Sequence, residues 1–194
     1  MLLDLKDEIQ KTTDLGLLSL VLQGLTGEKC LGAKLSYADE FQLHFGELQP
    51  ARHPKMLNHL RGSWILTTRA SSWRAWLPKL GVLVTSGISW ERPEWPAKDL
   101  SVQEMVSMVN TKLNGIEVRF VDVGWFHPSS PLSPGLVLGF ADGSRFELAP
   151  DPEELMDQDE PIADWELFTP YKTYLRVGPG VIWSLSRSDV PQDA

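Results

Sequence analysis

Leu18-Ser19-Leu20-Val21-Leu22-Gln23-Gly24-Leu25-Thr26-Gly27 has a counterpart 88 residues further on, Val106-Ser107-Met108-Val109-Asn110-Thr111-Lys112-Leu113-Asn114-Gly115. Leu18, Leu20 and Val21 fall on Val106, Met108 and Val109, Ser19 falls on Ser107, Leu25 falls on Leu113, and both stretches end in Gly. The apolar spacing in each is helical. Ser101-Val102-Gln103-Glu104 ahead of the second is a capping box, in which each side chain satisfies an orphan amide of the first turn. Gly27 and Gly115 suit helix termination, because Gly enters the left-handed region without steric cost. The spacing predicts helices over residues 12–26 and 101–113.

Beyond each Gly the period changes from helical to alternating. Phe41, Leu43 and Phe45 alternate in the first half; Leu136, Leu138 and Phe140 do so in the second, followed by Phe146 and Leu148. Asp142-Gly143 between the last two runs signals a tight hairpin. Further on, Gly62-Ser63-Trp64-Ile65-Leu66-Thr67 echoes Ala163-Asp164-Trp165-Glu166-Leu167-Phe168-Thr169, with Trp73 and Trp183 after them. The expected fold is α+β: two tandem helix-plus-antiparallel-sheet units, residues 1–95 and 96–194, related by duplication and packed into one globule. The rival reading is chance recurrence of Leu, Gly and Trp, which are common in strands and turns.

The connectors agree. Residues 49–59 and 90–98 are rich in Pro and charge and read as loops. Residues 125–135 hold Pro128, Pro131 and Pro134, and each Pro would remove a ladder donor from a central strand. The tail after Ser186 reads as loosely held.

At 194 residues, with 42% hydrophobic and 23% charged residues, the composition is that of an ordinary globular chain. Its 8 Trp are many for this length, and large aromatics anchor cores and interfaces. The single Cys30 excludes an intramolecular disulfide and a multi-Cys zinc site, so the fold must stand on its core, as suits the reducing cytosol. Met1 to Lys11 carries Asp4, Asp7 and Glu8 and lacks the pattern of a signal peptide. The longest apolar segment, Leu15 to Leu25, falls short of the roughly 20 residues that a membrane span needs. A cytoplasmic location without membrane contact is the expectation.

Charge is distributed unevenly. Residues 1–99 hold 12 Lys/Arg and 11 Asp/Glu, whereas residues 100–194 hold 6 and 15. The net charge of −8 therefore resides in the second half. Nucleic-acid binding is disfavoured, because phosphate contacts need clustered cations, and a basic partner is favoured.

No catalytic motif stands out. His44, His53, His59 and His127 show no ligand spacing, so neither a metal nor a cofactor is expected. His53 and His59 read as two exposed polar residues of one loop, and His44 falls on the less buried side of its strand. Cys30 with a histidine could form a nucleophile and base, but a small buried thiol is the commoner role. The glycines around Gly178-Pro179-Gly180 belong to no phosphate-binding motif. Asp122, Asp142 and Glu147 could converge as a carboxylate site. Trp76, Trp90 and Trp95, near Pro or charged residues, could stack on a ligand.

The most unusual stretch runs from Phe146 to Tyr171, with nine acidic residues (Glu147, Asp151, Glu153, Glu154, Asp157, Asp159, Glu160, Asp164, Glu166) and no Lys or Arg. A solvated loop that aids solubility is the plain reading. Leu155, Met156 and Ile162 interleave as apolar anchors, so Glu153, Glu154, Leu155, Met156, Asp157, Asp159 and Glu160 are the candidate partner-binding residues. The Ca²⁺-loop pattern is absent.

Phe140-Ala141-Asp142-Gly143-Ser144 and Asp164-Trp165-Glu166-Leu167-Phe168-Thr169-Pro170 resemble a pattern in small bacterial proteins of unknown function, some of them regarded as immunity proteins that neutralise a partner toxin. The resemblance covers residues 113–183, with a weaker echo over 25–73, and its motifs are structural. The first half departs from it, with Phe45-Gly46-Glu47 where the second has the Asp-Gly-Ser turn. It implies a non-enzymatic inhibitor of a basic protein partner. The alternatives are a small-molecule-binding or accessory enzyme domain with its site in the seam between the units, and a structural subunit that self-associates through its Trp-rich first half.

Overall fold

The computed structural model describes residues 8–36, 40–50, 59–68, 71–78, 82–85, 101–124, 134–150, 165–178, 180 and 182–187. The fold is α+β and dominated by antiparallel sheet. In chain order the elements are β1 (Ile9–Thr12), α1 (Leu15–Leu22) with a following 3-10 turn (Gln23–Leu25), β2 (Cys30–Leu35), β3 (Phe41–Pro50), β4 (Leu60–Thr67), β5 (Ser71–Leu77) and β6 (Val82–Thr85), then α2 (Val102–Leu113), β7 (Val118–Gly124), β8 (Gly135–Phe140), β9 (Arg145–Pro150), β10 (Trp165–Phe168), β11 (Thr173–Val177) and β12 (Trp183–Arg187).

Both helices lie where the spacing places them. Asp14 caps α1 by accepting from the Leu17 amide, and the Ser101/Glu104 capping box opens α2 as expected. The helices end ahead of Gly27 and Gly115, whose φ values of 90° and 80° an L side chain rarely adopts. The Asp142-Gly143 signal also gives a hairpin, with one difference. Phe140 and Ser144 close a three-residue turn in which Gly143 alone takes positive φ. β1 is too short to announce itself by alternation, and the sequence pattern does not predict it.

The strands form two sheets, one of seven strands in the order β1-β12-β11-β10-β4-β3-β2 and one of five in the order β6-β5-β9-β8-β7. Each sheet takes strands from both halves of the chain. The meander β2-β3-β4 continues into β10 and β11, and the meander β7-β8-β9 continues into β5 and β6. Tandem units with a sheet apiece are therefore not what forms: the chain crosses from one sheet to the other after β4 and again after β9. A short crossover between packed sheets permits this exchange, and an alternating pattern carries no information about which strand lies alongside.

The halves meet through a reciprocal set of hydrogen bonds. Gly27 N donates to Val118 O at 2.9 Å and Gly115 N to Cys30 O at 2.7 Å; Cys30 N donates to Ile116 O and Val118 N to Glu28 O, both at 2.9 Å. Adding 88 to the first-half residue of a bond and subtracting 88 from its second-half residue gives the other bond of the pair. Lys29 faces Glu117 at the centre. Side chains repeat the clasp: Asn110 of α2 bonds both backbone groups of Ala33 in β2, and Gln23 Nε2 donates to Val121 O in β7 at 3.1 Å.

One apolar core fills the space between the sheets, with Leu18, Val21, Leu25, Leu43, Phe45, Val109, Leu113, Leu138, Phe146 and Leu167 all buried. Phe41, Trp73 and Phe146 stack at its centre, Phe41 and Trp73 with ring centroids 4.0 Å apart. Trp64, Trp73, Trp165 and Trp183 are all buried. The register corrects their expected correspondence. Trp64 of β4 and Trp165 of β10 lie on neighbouring strands of one sheet, and the residue of the other sheet that matches Trp165 is Trp73.

Candidate functional site

The acidic run begins and ends on strands. Glu147 lies on β9 and is gripped by the buried Arg74 of β5, directly opposite it. Glu166 lies on β10, also buried, with Arg176 of β11 at 3.2 Å. Two of the nine acids are thus neutralised within the sheets. Asp151, Glu153, Glu154, Leu155, Met156, Asp157, Asp159, Glu160 and Asp164 lie outside the described residues. The strands do locate the run in the topology. It connects β9 to β10, the passage from one sheet to the other, and takes fourteen residues where the matching passage from β4 to β5 takes three.

A second cluster lies on the outward face of the seven-stranded sheet, across the junction of β4 with β10. Lys34, Gln42, Thr67, Glu166, Arg176 and Ser184 are successive cross-strand neighbours, an entirely polar row over six strands. His44, two residues beyond Gln42 in the chain and so facing the same way, is expected from its alternation on a less buried side. It does point away from the core, as alternation requires, yet it is only 5% exposed. Its Nδ1 accepts a hydrogen bond from Gly62 N at 3.0 Å, which places the ring proton on Nε2. Burial, aided by the nearby Lys34 and Arg61 charges, lowers its pKa to about 4. The ring is neutral at physiological pH. His44 Nε2 and the hydroxyl of Thr67, itself 2% exposed, are both buried without a hydrogen-bond partner.

The five-stranded sheet has a matching face with other contents. Asp122, Val137, Glu147 and Arg74 form its row. Gly139 stands where the first sheet has His44, and the Phe120 ring occupies the space above it, with Arg145 over the ring at 6.0 Å. The three carboxylates that could have converged do not. Asp122 accepts from its neighbour's amide, Asp142 caps the hairpin by accepting from Ser144 N, and Glu147 is held by Arg74.

Cys30 is fully buried and its thiol is pushed up to about 11 by desolvation, so it is a core residue and no thiolate nucleophile. His59 is exposed; His53, His127, Trp90 and Trp95 lie outside the described residues. Among the described residues no group of three His, Cys, Asp or Glu could hold a metal ion, and no helix is long and apolar enough to cross a membrane. The polar row on the larger sheet escapes a reading of the sequence because its members come from six separate strands. The local signal that could have pointed to it is His44, a polar residue between Leu43 and Phe45. No protein-family model, no curated protein and no solved structure matches this chain.

Proposed function

We propose that this chain is a non-enzymatic protein-binding module, an immunity-type inhibitor that docks a basic protein partner through residues 153–160. The observation that carries this reading is the asymmetry of the two sheet-to-sheet passages. Three residues suffice between β4 and β5, so the fold does not require the fourteen between β9 and β10. The added length is acidic, with Leu155, Met156 and Ile162 among the charges. Subtracting Glu147 and Glu166, which are paired inside the sheets, leaves seven acids of the run for an external partner. Surplus negative charge steers a cationic partner, and apolar anchors hold it once water is excluded.

The test is capture of a partner from the native host, followed by association kinetics at two salt concentrations. Neutralising Glu153, Glu154, Asp157 and Asp159 together slows association and flattens its salt dependence. Replacing Leu155 and Met156 by Ala chiefly speeds dissociation. A partner that binds the quadruple variant as fast as the parent overturns the reading.

We further propose that the halves descend from a duplicated unit of one helix and its following strands. The reciprocal Gly27/Gly115 bonds support it, as do the strand registers. Ala33 faces Leu43 and Val121 faces Leu138; Leu66 faces Leu167 and Phe146 faces Ala75. The irregularity between Cys30 and Gly32 recurs between Val118 and Phe120, at the same offset of 88.

A further inference from the structure

We propose that the outward face of the seven-stranded sheet, at the junction of β3, β4 and β10, binds a small oxyanion, a carboxylate or phosphate group, between His44 Nε2 and Thr67 Oγ1. This site does not depend on the acidic segment and stands or falls separately from it.

Two buried, unpartnered polar atoms on one sheet face are the starting point. An unmet polar group in such a place lowers folding stability, so a fold retains it where something else completes the bond. His44 pairs with Ile65, and Thr67 lies two residues further along β4, on the same face. Diagonal neighbours of this kind stand about 7–8 Å apart along the sheet, close enough for their side chains to share one carboxylate or phosphate through hydrogen bonds of about 2.8 Å.

The polarity of the two atoms selects the ligand. With Nδ1 committed to accepting from Gly62 N, Nε2 can only donate. Thr67 Oγ1 can donate as well. The charges that act on His44 are the cations Lys34 and Arg61. Glu166, the acid next to Thr67 in the row, is held by Arg176. An acceptor-only anion meets two donors and two cations here, whereas a cation or a pure donor would leave Nε2 unmet.

The other sheet supplies the contrast. At the position of Thr67 it carries Glu147, whose own carboxylate is bound by Arg74, and at the position of His44 the space is filled by Phe120 over Gly139. That face completes itself. The His44 face has a shorter side chain at the equivalent place and leaves a carboxylate to be brought from outside.

The experiment is a thermal-unfolding titration of the full chain at about pH 7.5, where His44 is neutral, with sodium phosphate and sodium acetate in separate arms and ionic strength matched by sodium chloride. A saturable rise in Tm in one arm identifies the phosphate or the carboxylate class. Thr67→Val, which removes only the hydroxyl, weakens that binding roughly ten- to a hundredfold, the scale of one hydrogen bond to a charged group. Lys34→Ala, at an exposed position, weakens it several-fold and serves as a second readout should Thr67→Val fold poorly. No rise beyond the chloride control in either arm overturns the proposal, as does an unchanged rise in both variants. Either result would leave these atoms as the seat of a buried water.

Discussion

The two sheets can be laid over one another strand by strand, and they agree on one face only. Toward the core, Ala33, Leu43, Leu66, Leu167 and Leu175 cross the larger sheet, and Val121, Leu138, Phe146 and Ala75 cross the smaller. Every one is apolar. On the outward face the matched rows share almost no chemistry: Lys34, Gln42, Thr67 and Glu166 against Asp122, Val137, Glu147 and Arg74. Backbone ladders accept any side chain, so register alone places no demand on the outward residues. Burial between the sheets does demand a kind of residue, because one misplaced charge there costs several kcal/mol. The faces that the fold leaves unspecified are therefore where the two sheets differ in chemistry.

Losing a matched tryptophan tests the shared core most severely. Trp73→Ala and Trp165→Ala should each destabilise by roughly 3–5 kcal/mol, the cost of emptying a packed aromatic site. Urea midpoints measure it. A variant whose midpoint barely moves would show that its sheet does not need the shared core. Next in size is acid. His44 has its folded pKa at about 4 against an ordinary 6.5, so the unfolded chain protonates first as pH falls. Stability is therefore lost progressively from about pH 6.5 to about pH 4, by at most ~3.5 kcal/mol at about 1.4 kcal/mol per pKa unit. The smaller sheet, with Gly139 at that place, contributes no such slope. His44→Gln should flatten the curve over that window in a pH series of denaturation midpoints.

Two glycines, one in each sheet, probe close packing on a finer scale. A Cβ on Gly62 would come within 2.7 Å of both the N and the O of Phe45, and backbone cannot step aside. Gly62→Ala should cost about 2–3 kcal/mol, within the usual range for overpacking. A Cβ on Gly139 would strike the Phe120 ring first, and that ring is 43% exposed on an edge strand and can swing outward. Gly139→Ala should cost under about 1 kcal/mol in thermal unfolding, and less again beside Phe120→Ala. Least costly, if the segment serves a partner as proposed, should be neutralising Glu153, Glu154, Asp157 and Asp159, within about 0.5 kcal/mol. A larger loss in the same denaturation assay would make the segment part of the scaffold.

What could be read without coordinates follows the range of the forces concerned. Capping of α2 by Ser101 and Glu104, termination at Gly27 and Gly115 and the hairpin at Asp142-Gly143 depend on neighbours within a few residues, and each is legible in the sequence. The alternation of Phe41, Leu43 and Phe45 correctly names the core face of β3. The partner of each strand is not legible, since alternation fixes a face and leaves the neighbour open. That is why the sequence pattern sets Trp64 against Trp165 where the register sets Trp73. The polar row is hidden for the same reason: Thr67 and Glu166 are cross-strand neighbours, yet 99 residues separate them in the chain.

The exchange of strands also sets a timetable for synthesis. β1 pairs with β12, so Ile9 must wait for Leu185 before its edge is covered. β4 waits for β10 in the same way, and β5 for β9. A nascent first half therefore presents unsatisfied strand edges and the apolar flanks of Leu43, Leu66 and Trp73 until β9, β10 and β12 have been made. Contacts this distant in sequence fold slowly, and open edges invite association with other chains in the interval. Removing β12, which covers β1 and β11, should therefore harm solubility more than any single substitution on the finished surface.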